Sequence, residues 1–139
     1  MKETEILAPV FALAAWTVCI LLLVAFQRVR AALKGQHVVD VYKLGESPEL
    51  SERVVLPNRN YMNLLELPIL FYVICLIAYA SQNGTNLAIK LAWFYVSLRV
   101  LHSLIHVTYN KVMHRFTIFV ASNLVLLSLW FEVGNSIFN

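Results

Sequence analysis

Residues 58–80 read NRNYMNLLELPILFYVICLIAYA, a polar opening that runs into a long apolar stretch. The apolar part, residues 64–80, has about the length that a helix needs to cross a hydrocarbon core of roughly 30 Å. An ionisable group in hydrocarbon costs several kcal/mol, roughly 2.5–3.5 on insertion scales, and such a group usually lines a site or a pathway. This stretch therefore predicts a membrane span with a functional site near one end.

Three further apolar segments, residues 6–26, 87–107 and 116–133, are also long enough to span a membrane. Of the 139 residues, 60% are hydrophobic and 14% charged, whereas a soluble domain carries about 25% charged residues. Barrel strands would alternate apolar and polar residues, and these segments do not. The sequence predicts an all-α fold, a polytopic up-down four-helix transmembrane bundle. We expect a single domain over residues 1–139 with spans at about 6–28, 60–80, 87–109 and 115–135.

The basic residues predict how the spans are oriented. Only Lys2 and Lys90 lie on one side of the membrane, and Arg99 lies inside a span. The connections on the other side carry the other eight: Arg28, Arg30, Lys34, Lys43, Arg53, Arg59, Lys111 and Arg115. The positive-inside rule then places both termini on the non-cytoplasmic side. Since there is no basic soluble domain, no nucleic-acid partner is expected, and the positive charge indicates contact with membrane lipid.

The long connection from residue 27 to residue 59 has its own signals. Ser47, Pro48 and Glu49 form a typical helix start, which predicts a short interfacial helix over residues 48–55. Pro57 followed by Asn58 is interpreted as the start of span two. Cys19 and Cys75 fall inside spans, where a packing role is expected.

Polar residues form two stripes that reach similar depths. The stripe on span two has the spacing i, i+4, i+7 and consists of Arg59, Asn63 and Glu66. The stripe on span three has the spacing i, i+3, i+7, i+11 and consists of Arg99, His102, His106 and Asn110. At ~1.5 Å per residue from the basic end, Glu66 lies about 10 Å deep and His102 about 12 Å. Arg115, at the start of span four, lies at the rim of the same region.

This constellation has more donors than acids and therefore predicts a cationic pocket. Such a pocket suits a small anionic polar ligand that meets an apolar one dissolved in the membrane. Arg59 and Arg115 are suited to bidentate bonds with carboxylates, and Glu66 to an ammonium group. A thiol beside Arg115 would have its pKa lowered from about 8.5.

Structural roles are the alternatives for the same residues. Glu66 and Arg99 could form a buried ion pair, His102 and His106 could bond between helices, and Arg115 could be an interfacial cation. Pro68 is expected to kink span two.

His102, His106 and Glu66 could also form a metal site, but the nearby arginines would repel a cation, and no metal is expected.

The pattern Arg59-x-x-x-Asn63-x-x-Glu66-x-Pro68 with Phe71, then Arg99-x-x-His102, then Arg115, resembles the MAPEG family. These are the membrane-associated proteins in eicosanoid and glutathione metabolism, and the chain is similar to bacterial-type members over essentially its whole length. The resemblance implies a homotrimer in the bacterial inner membrane, with glutathione as co-substrate between adjacent subunits.

The resemblance also implies a role for each matching residue. Arg115 would stabilise the glutathione thiolate as the catalytic residue, and the thiolate would attack a lipophilic electrophile in a transferase or peroxidase reaction. The expected glutathione-binding residues are Arg59, Asn63, Glu66, Arg99, His102, His106 and Tyr109. Met62 and His106 differ from the eicosanoid-forming members and argue against an eicosanoid synthase. The alternative is a non-catalytic protein that binds lipid or glutathione.

Overall fold

The computed structural model describes residues 2–34 and 51–138, and these ranges contain only helices and their connections. A 3₁₀ turn, Lys2–Ile6, leads into the first helix. The helices are α1 (Leu7–Leu33), α2 (Glu52–Leu65), α3 (Pro68–Ala80), α4 (Asn86–Val107) and α5 (Val112–Phe138). Four stretches are long and apolar enough to cross a membrane: Thr4–Leu33, Glu52–Ala80, Asn86–Val107 and Val112–Phe138. The predicted all-α four-helix bundle is confirmed.

The outward faces of the bundle are apolar. Phe131 is 77% exposed, and Phe11, Leu22 and Leu127 are exposed in the same way along the spans. Such extensive apolar surface is rare on soluble monomers and indicates a surface that is covered by lipid or by another protein. The protein is therefore an integral, multi-pass membrane protein.

The buried core runs the length of the bundle and draws on every span. Short connections make sequential spans antiparallel neighbours, and α5 packs along α4 while α1 packs along α2. The core side chains include Leu13, Ile20, Leu64, Phe71, Ile74, Tyr95, Val96, Leu126, Leu129 and Val133. The small residues Ala78, Ala88 and Ala92 are also fully buried, where they let helices approach closely.

Span two is interrupted at Glu66, so it consists of two helices. The backbone leaves helical geometry there, with ψ of −99° at Glu66, and Pro68 occupies the first turn of α3. Proline is favoured at a helix start because its missing N–H has no partner there in any case. The kink expected at Pro68 thus takes the form of a break between α2 and α3, and the Glu66 side chain at this break is exposed.

The helix that leads into span two begins earlier than Pro57 and Asn58 indicate. The helix α2 begins at Glu52 and continues through Pro57, which lies inside it. Pro57 is less than two turns from the helix start and removes only one backbone hydrogen bond, so the helix continues through it. Where the membrane span itself begins stays a prediction. Residues 52–55 belong to α2 and not to a separate interfacial helix, and the rest of that prediction, residues 48–50, lies outside the described ranges.

Thr85 joins the last two spans at the end of the bundle opposite Arg115. Its hydroxyl caps α4 by accepting from the Ala88 N–H at 3.0 Å and donates to Glu132 Oε1 of α5 at 2.9 Å. At the other end, Asn110 turns the chain in the left-handed region with φ of 46°, which asparagine tolerates better than most residues. This turn brings the start of α5 back against the end of α4.

Candidate functional site

Arg115 is anchored to the end of α4. Its Nη1 atom donates to Asn110 Oδ1 at 2.8 Å and lies 3.3 Å from His106 Nε2. His106 is buried, and its other ring nitrogen, Nδ1, has no hydrogen-bond partner. The left-handed turn at Asn110 therefore fixes where the guanidinium of Arg115 lies at the mouth of the bundle.

A cleft of about 230 Å³ opens beside this guanidinium. Three helices contribute to it, because α2, α4 and α5 converge here. Its lining residues are Asn63, His102, Val112, Arg115, Phe116 and Phe119. Val112, Arg115, Phe116 and Phe119 share one face of α5, so the cation lies beside apolar side chains, while Asn63 and His102 come from α2 and α4. The arrangement allows a polar anionic group and an apolar group to meet.

Arg99 lies one turn of α4 deeper than His102 and is fully buried, with 0% of its surface exposed. Its Nε donates to the Tyr95 hydroxyl at 2.9 Å, and Nη2 donates to Asn123 Oδ1 at 2.8 Å. The guanidinium carbon also lies 5.2 Å and 5.3 Å from the ring centres of Tyr95 and Phe119, within cation–π range. Nη1 has no partner. The Glu66–Arg99 ion pair considered from the sequence does not form, since Glu66 is exposed.

The two histidines lie in a positive field. Their rings are 5.9 Å apart in a T-shaped arrangement, and the His102 ring is also 5.9 Å from that of Phe119. The charges of Arg99 and Arg115 act on His102, and those of Arg115 and Arg59 act on His106. Across residues 2–34 and 51–138, no three histidine, cysteine or acidic side chains are grouped as metal ligands. The site therefore favours an anion over a cation.

The remaining sequence-predicted residues lie outside the cleft of the single chain. Arg59 and Glu66 are exposed, and Tyr109 is exposed with its hydroxyl 3.3 Å from His114 Nδ1. The Asn63 amide donates to the Arg59 carbonyl at 3.1 Å, and Asn63 also lines the cleft. The structure thus brings Asn63, His102 and Arg115 together, with His106 behind Arg115 and Arg99 deeper in the bundle.

Sequence reasoning missed several polar contacts in the same region. The buried Asn60 amide donates to the Ser103 hydroxyl and links α2 to α4, and its Oδ1 has no partner. Asn60 and Asn123 carry a usable signal, because polar residues in apolar spans commonly bond between helices. Tyr95 lies four residues before Arg99 on the same helix face and was detectable by spacing. Nothing in the sequence singled out Phe116 and Phe119 from the other apolar residues of span four.

Fold and site together define a multi-pass membrane protein with a cationic cleft, walled partly by aromatic rings, at one end of a helical bundle. The MAPEG family model matches residues 6–135, and the chain belongs to this family of membrane glutathione-related enzymes. No curated protein and no solved structure gives a significant match.

Proposed function

We propose that the protein is a glutathione-dependent transferase of the membrane, with peroxidase-like chemistry, that joins a glutathione thiolate to a lipophilic electrophile. One observation carries this proposal. Arg115 and Asn63 line the same cleft of about 230 Å³ as Phe116 and Phe119, so a cation and an amide lie beside aromatic rings in one space. A polar thiol and an apolar electrophile need this combination of walls.

Arg115 acts as the catalytic residue in this proposal. A guanidinium beside a thiol lowers the thiol pKa from about 8.5, so that more of it is thiolate, the reactive form. The thiol proton passes to water. In conjugation the sulfur–carbon bond forms while the leaving group departs with the bonding electron pair. In peroxide reduction the sulfur takes one peroxide oxygen, an alcohol leaves, and a second glutathione displaces water to give the disulfide.

The binding residues divide according to charge. Glutathione carries two carboxylates and one ammonium group, and guanidinium groups bind carboxylates with two parallel hydrogen bonds. Arg59 and Arg99 are assigned to the carboxylates and Glu66 to the ammonium group. Asn63, His102, His106 and Tyr109 provide neutral hydrogen-bonding groups around them. The unpartnered Nη1 of the buried Arg99 supports this assignment, because an unsatisfied buried donor is costly.

A homotrimer is part of the proposal, and two features of the single chain support a site between subunits. Its cleft, about 230 Å³, is smaller than the ~300–1,000 Å³ of typical ligand pockets. Arg59 and Glu66 are charged and exposed within a membrane-spanning stretch, where hydrocarbon is a poor environment for them. A neighbouring subunit would cover this face and bring both charges to a cleft. The number three follows from the family resemblance.

The orientation also belongs to the proposal. The cationic end of the bundle, with Arg115, faces the cytoplasm of a bacterial cell, and both termini lie on the other side of the inner membrane. The basic residues support it, because positively charged connections are retained on the cytoplasmic side. Glutathione would then enter from water and the electrophile from the bilayer. Residues 1–139 would form one domain.

The test is thiolate formation by the purified protein in detergent. Adding glutathione to the wild type is expected to give the ultraviolet absorbance of a thiolate. Arg115→Ala should abolish the signal, and Lys111→Ala, which removes an exposed cation from the same connection, should retain it. Failure of the wild type to give this signal at millimolar glutathione would overturn the enzymatic proposal.

A non-catalytic binding protein is the second candidate, and the surroundings of Arg115 favour it. Its Nη1 is already shared between His106 and Asn110, which leaves less of the guanidinium for a thiolate. This candidate predicts that glutathione or a lipid raises the melting temperature without a thiolate signal. A ligand that binds only the folded state stabilises in proportion to the logarithm of its concentration over its dissociation constant. Thermal shift and absorbance together therefore separate the two functions.

A further inference from the structure

A second polar cleft lies between α1 and α2, apart from the one that contains Arg115. It measures about 400 Å³, and its described lining contains three cations and no acid. The cations are Arg30, Lys34 and Arg53, all exposed, with Gln27 and Ser51 beside them. Buried Ala31 and Val54 form its floor.

This cationic cleft continues into one that has aliphatic as well as polar walls. An adjoining space of about 390 Å³ shares Gln27 and Arg53 with it and is otherwise lined by Leu23, Leu56, Pro57, Val107, Thr108 and Glu52. Leu23 precedes Arg30 by seven residues on α1, a distance of roughly 10 Å towards the middle of the span. The two clefts together form a groove that is cationic at the membrane surface and lined by both aliphatic and polar residues below it.

The walls of this groove are held at a fixed separation. Arg28 Nη2 donates to Asn58 Oδ1 at 2.8 Å and so links α1 to α2 between the two clefts and the centre of the bundle. Arg28 is thereby engaged in holding the helices, while Arg30 and Arg53 line the groove. A groove whose walls are already held together loses less conformational freedom when a ligand binds than a flexible surface does.

We infer that this groove binds an anionic phospholipid, with its phosphate among Arg30, Lys34 and Arg53 and its glycerol and upper acyl chains against Leu23, Leu56 and Val107. Charge complementarity supports an anion, since cations outnumber the single acid, Glu52, across both clefts. The aliphatic residues below the cations favour a lipid over a free phosphate. Basic residues beside membrane spans attract anionic headgroups at about 1 kcal/mol each. The site does not depend on glutathione.

Lipid retention measured by native mass spectrometry tests the inference. Protein purified in detergent is equilibrated with equimolar phosphatidylglycerol and phosphatidylcholine of identical acyl chains. The wild type is expected to retain phosphatidylglycerol preferentially. The variant Arg30→Gln/Arg53→Gln should lose roughly tenfold or more of that preference. The matched variant Lys90→Gln/Lys111→Gln removes the same charge away from the groove and should keep the wild-type ratio.

Three results would overturn the inference. They are no preference in the wild type, an equal loss in both double variants, and a thermal stabilisation by inorganic phosphate as large as that by phosphatidylglycerol. The last would leave a phosphate site with no lipid. A photoactivatable phosphatidylglycerol on the wild-type protein needs no variant and should label peptides from residues 23–34 and 51–57. Labelling confined to other peptides contradicts the groove.

Discussion

The guanidinium of Arg115 on α5 lies 3.3 Å from Nε2 of His106 on α4, and this pair joins the two helices at the mouth of the cleft. A guanidinium can only donate, so His106 accepts through Nε2, and any proton on the neutral ring is on Nδ1. His106 has its side chain behind Arg115 and is absent from the cleft lining. We therefore expect His106 to position Arg115, in addition to the hydrogen-bonding role proposed for it with glutathione.

Replacing His106 tests that role. We expect His106→Phe to raise the glutathione concentration needed for half-maximal thiolate absorbance by about tenfold, because hydrogen bonds to charged groups contribute about 1.5–3 kcal/mol. His106→Gln, whose amide oxygen can accept from Arg115, should restore most of the signal. Lys111→Ala is the control, since Lys111 is an exposed residue of the same connection and has no proposed part in the site. A purely structural role would lower the melting temperature of His106→Phe and leave the titration unchanged.

Replacing Arg99 and Asn123 is expected to have non-additive effects on stability, because the two side chains form a buried hydrogen bond. Asn123→Leu removes the acceptor of Nη2 and leaves a second unsatisfied donor beside Nη1, at a cost of about 1.5–3 kcal/mol. Arg99→Met/Asn123→Leu should recover most of that stability, since replacing a buried polar set with apolar side chains is often neutral or stabilising. Thermal unfolding in detergent measures both. A double variant less stable than Asn123→Leu would contradict the assigned contact.

Thr85 should be sensitive to loss of its hydroxyl and tolerant of serine. Thr85→Ala removes both the cap of α4 and the bond to Glu132, at a cost of about 1–2 kcal/mol, whereas Thr85→Ser keeps the oxygen for both. Thr117→Ala is the matched control, because that exposed hydroxyl bonds only the Met113 carbonyl of its own helix. Melting temperatures in detergent report the order. Equal losses for Thr85→Ala and Thr117→Ala would show that the link to Glu132 adds nothing.

The proposed site between subunits predicts complementation. Glu66→Ala and Arg115→Ala should each lose glutathione binding or thiolate formation when expressed alone. Glu66 lies outside the cleft of its own chain, so co-expression of the two variants should assemble some sites that contain both wild-type side chains. Partial recovery of the thiolate signal in the co-purified protein is the expected result. No recovery, with mixed oligomers demonstrated by two affinity tags, would mean that both residues serve the same chain.

The four spans and the basic end were predictable from the sequence because the bilayer constrains both directly. A helix must be apolar over about 20 residues to cross hydrocarbon, and polar groups inside it need a partner. His102 and Arg115 were expected near one another on these grounds, and they line one cleft. Glu66 does not join them, because Arg59 and Glu66 are exposed on the outside of the single chain and only Asn63 of that stripe reaches the cleft.

The sequence by itself determined the membrane class and the number of spans, since hydropathy acts locally along the chain. Tertiary structure alone decided which donor meets which acceptor. The rotation of α5 brings Asn123 to Arg99 and sets Phe116 and Phe119 opposite Asn63, while the turn at Asn110 places Arg115 against His106. These contacts depend on how helices pack around one another, and packing is a property of the whole bundle that no single segment encodes.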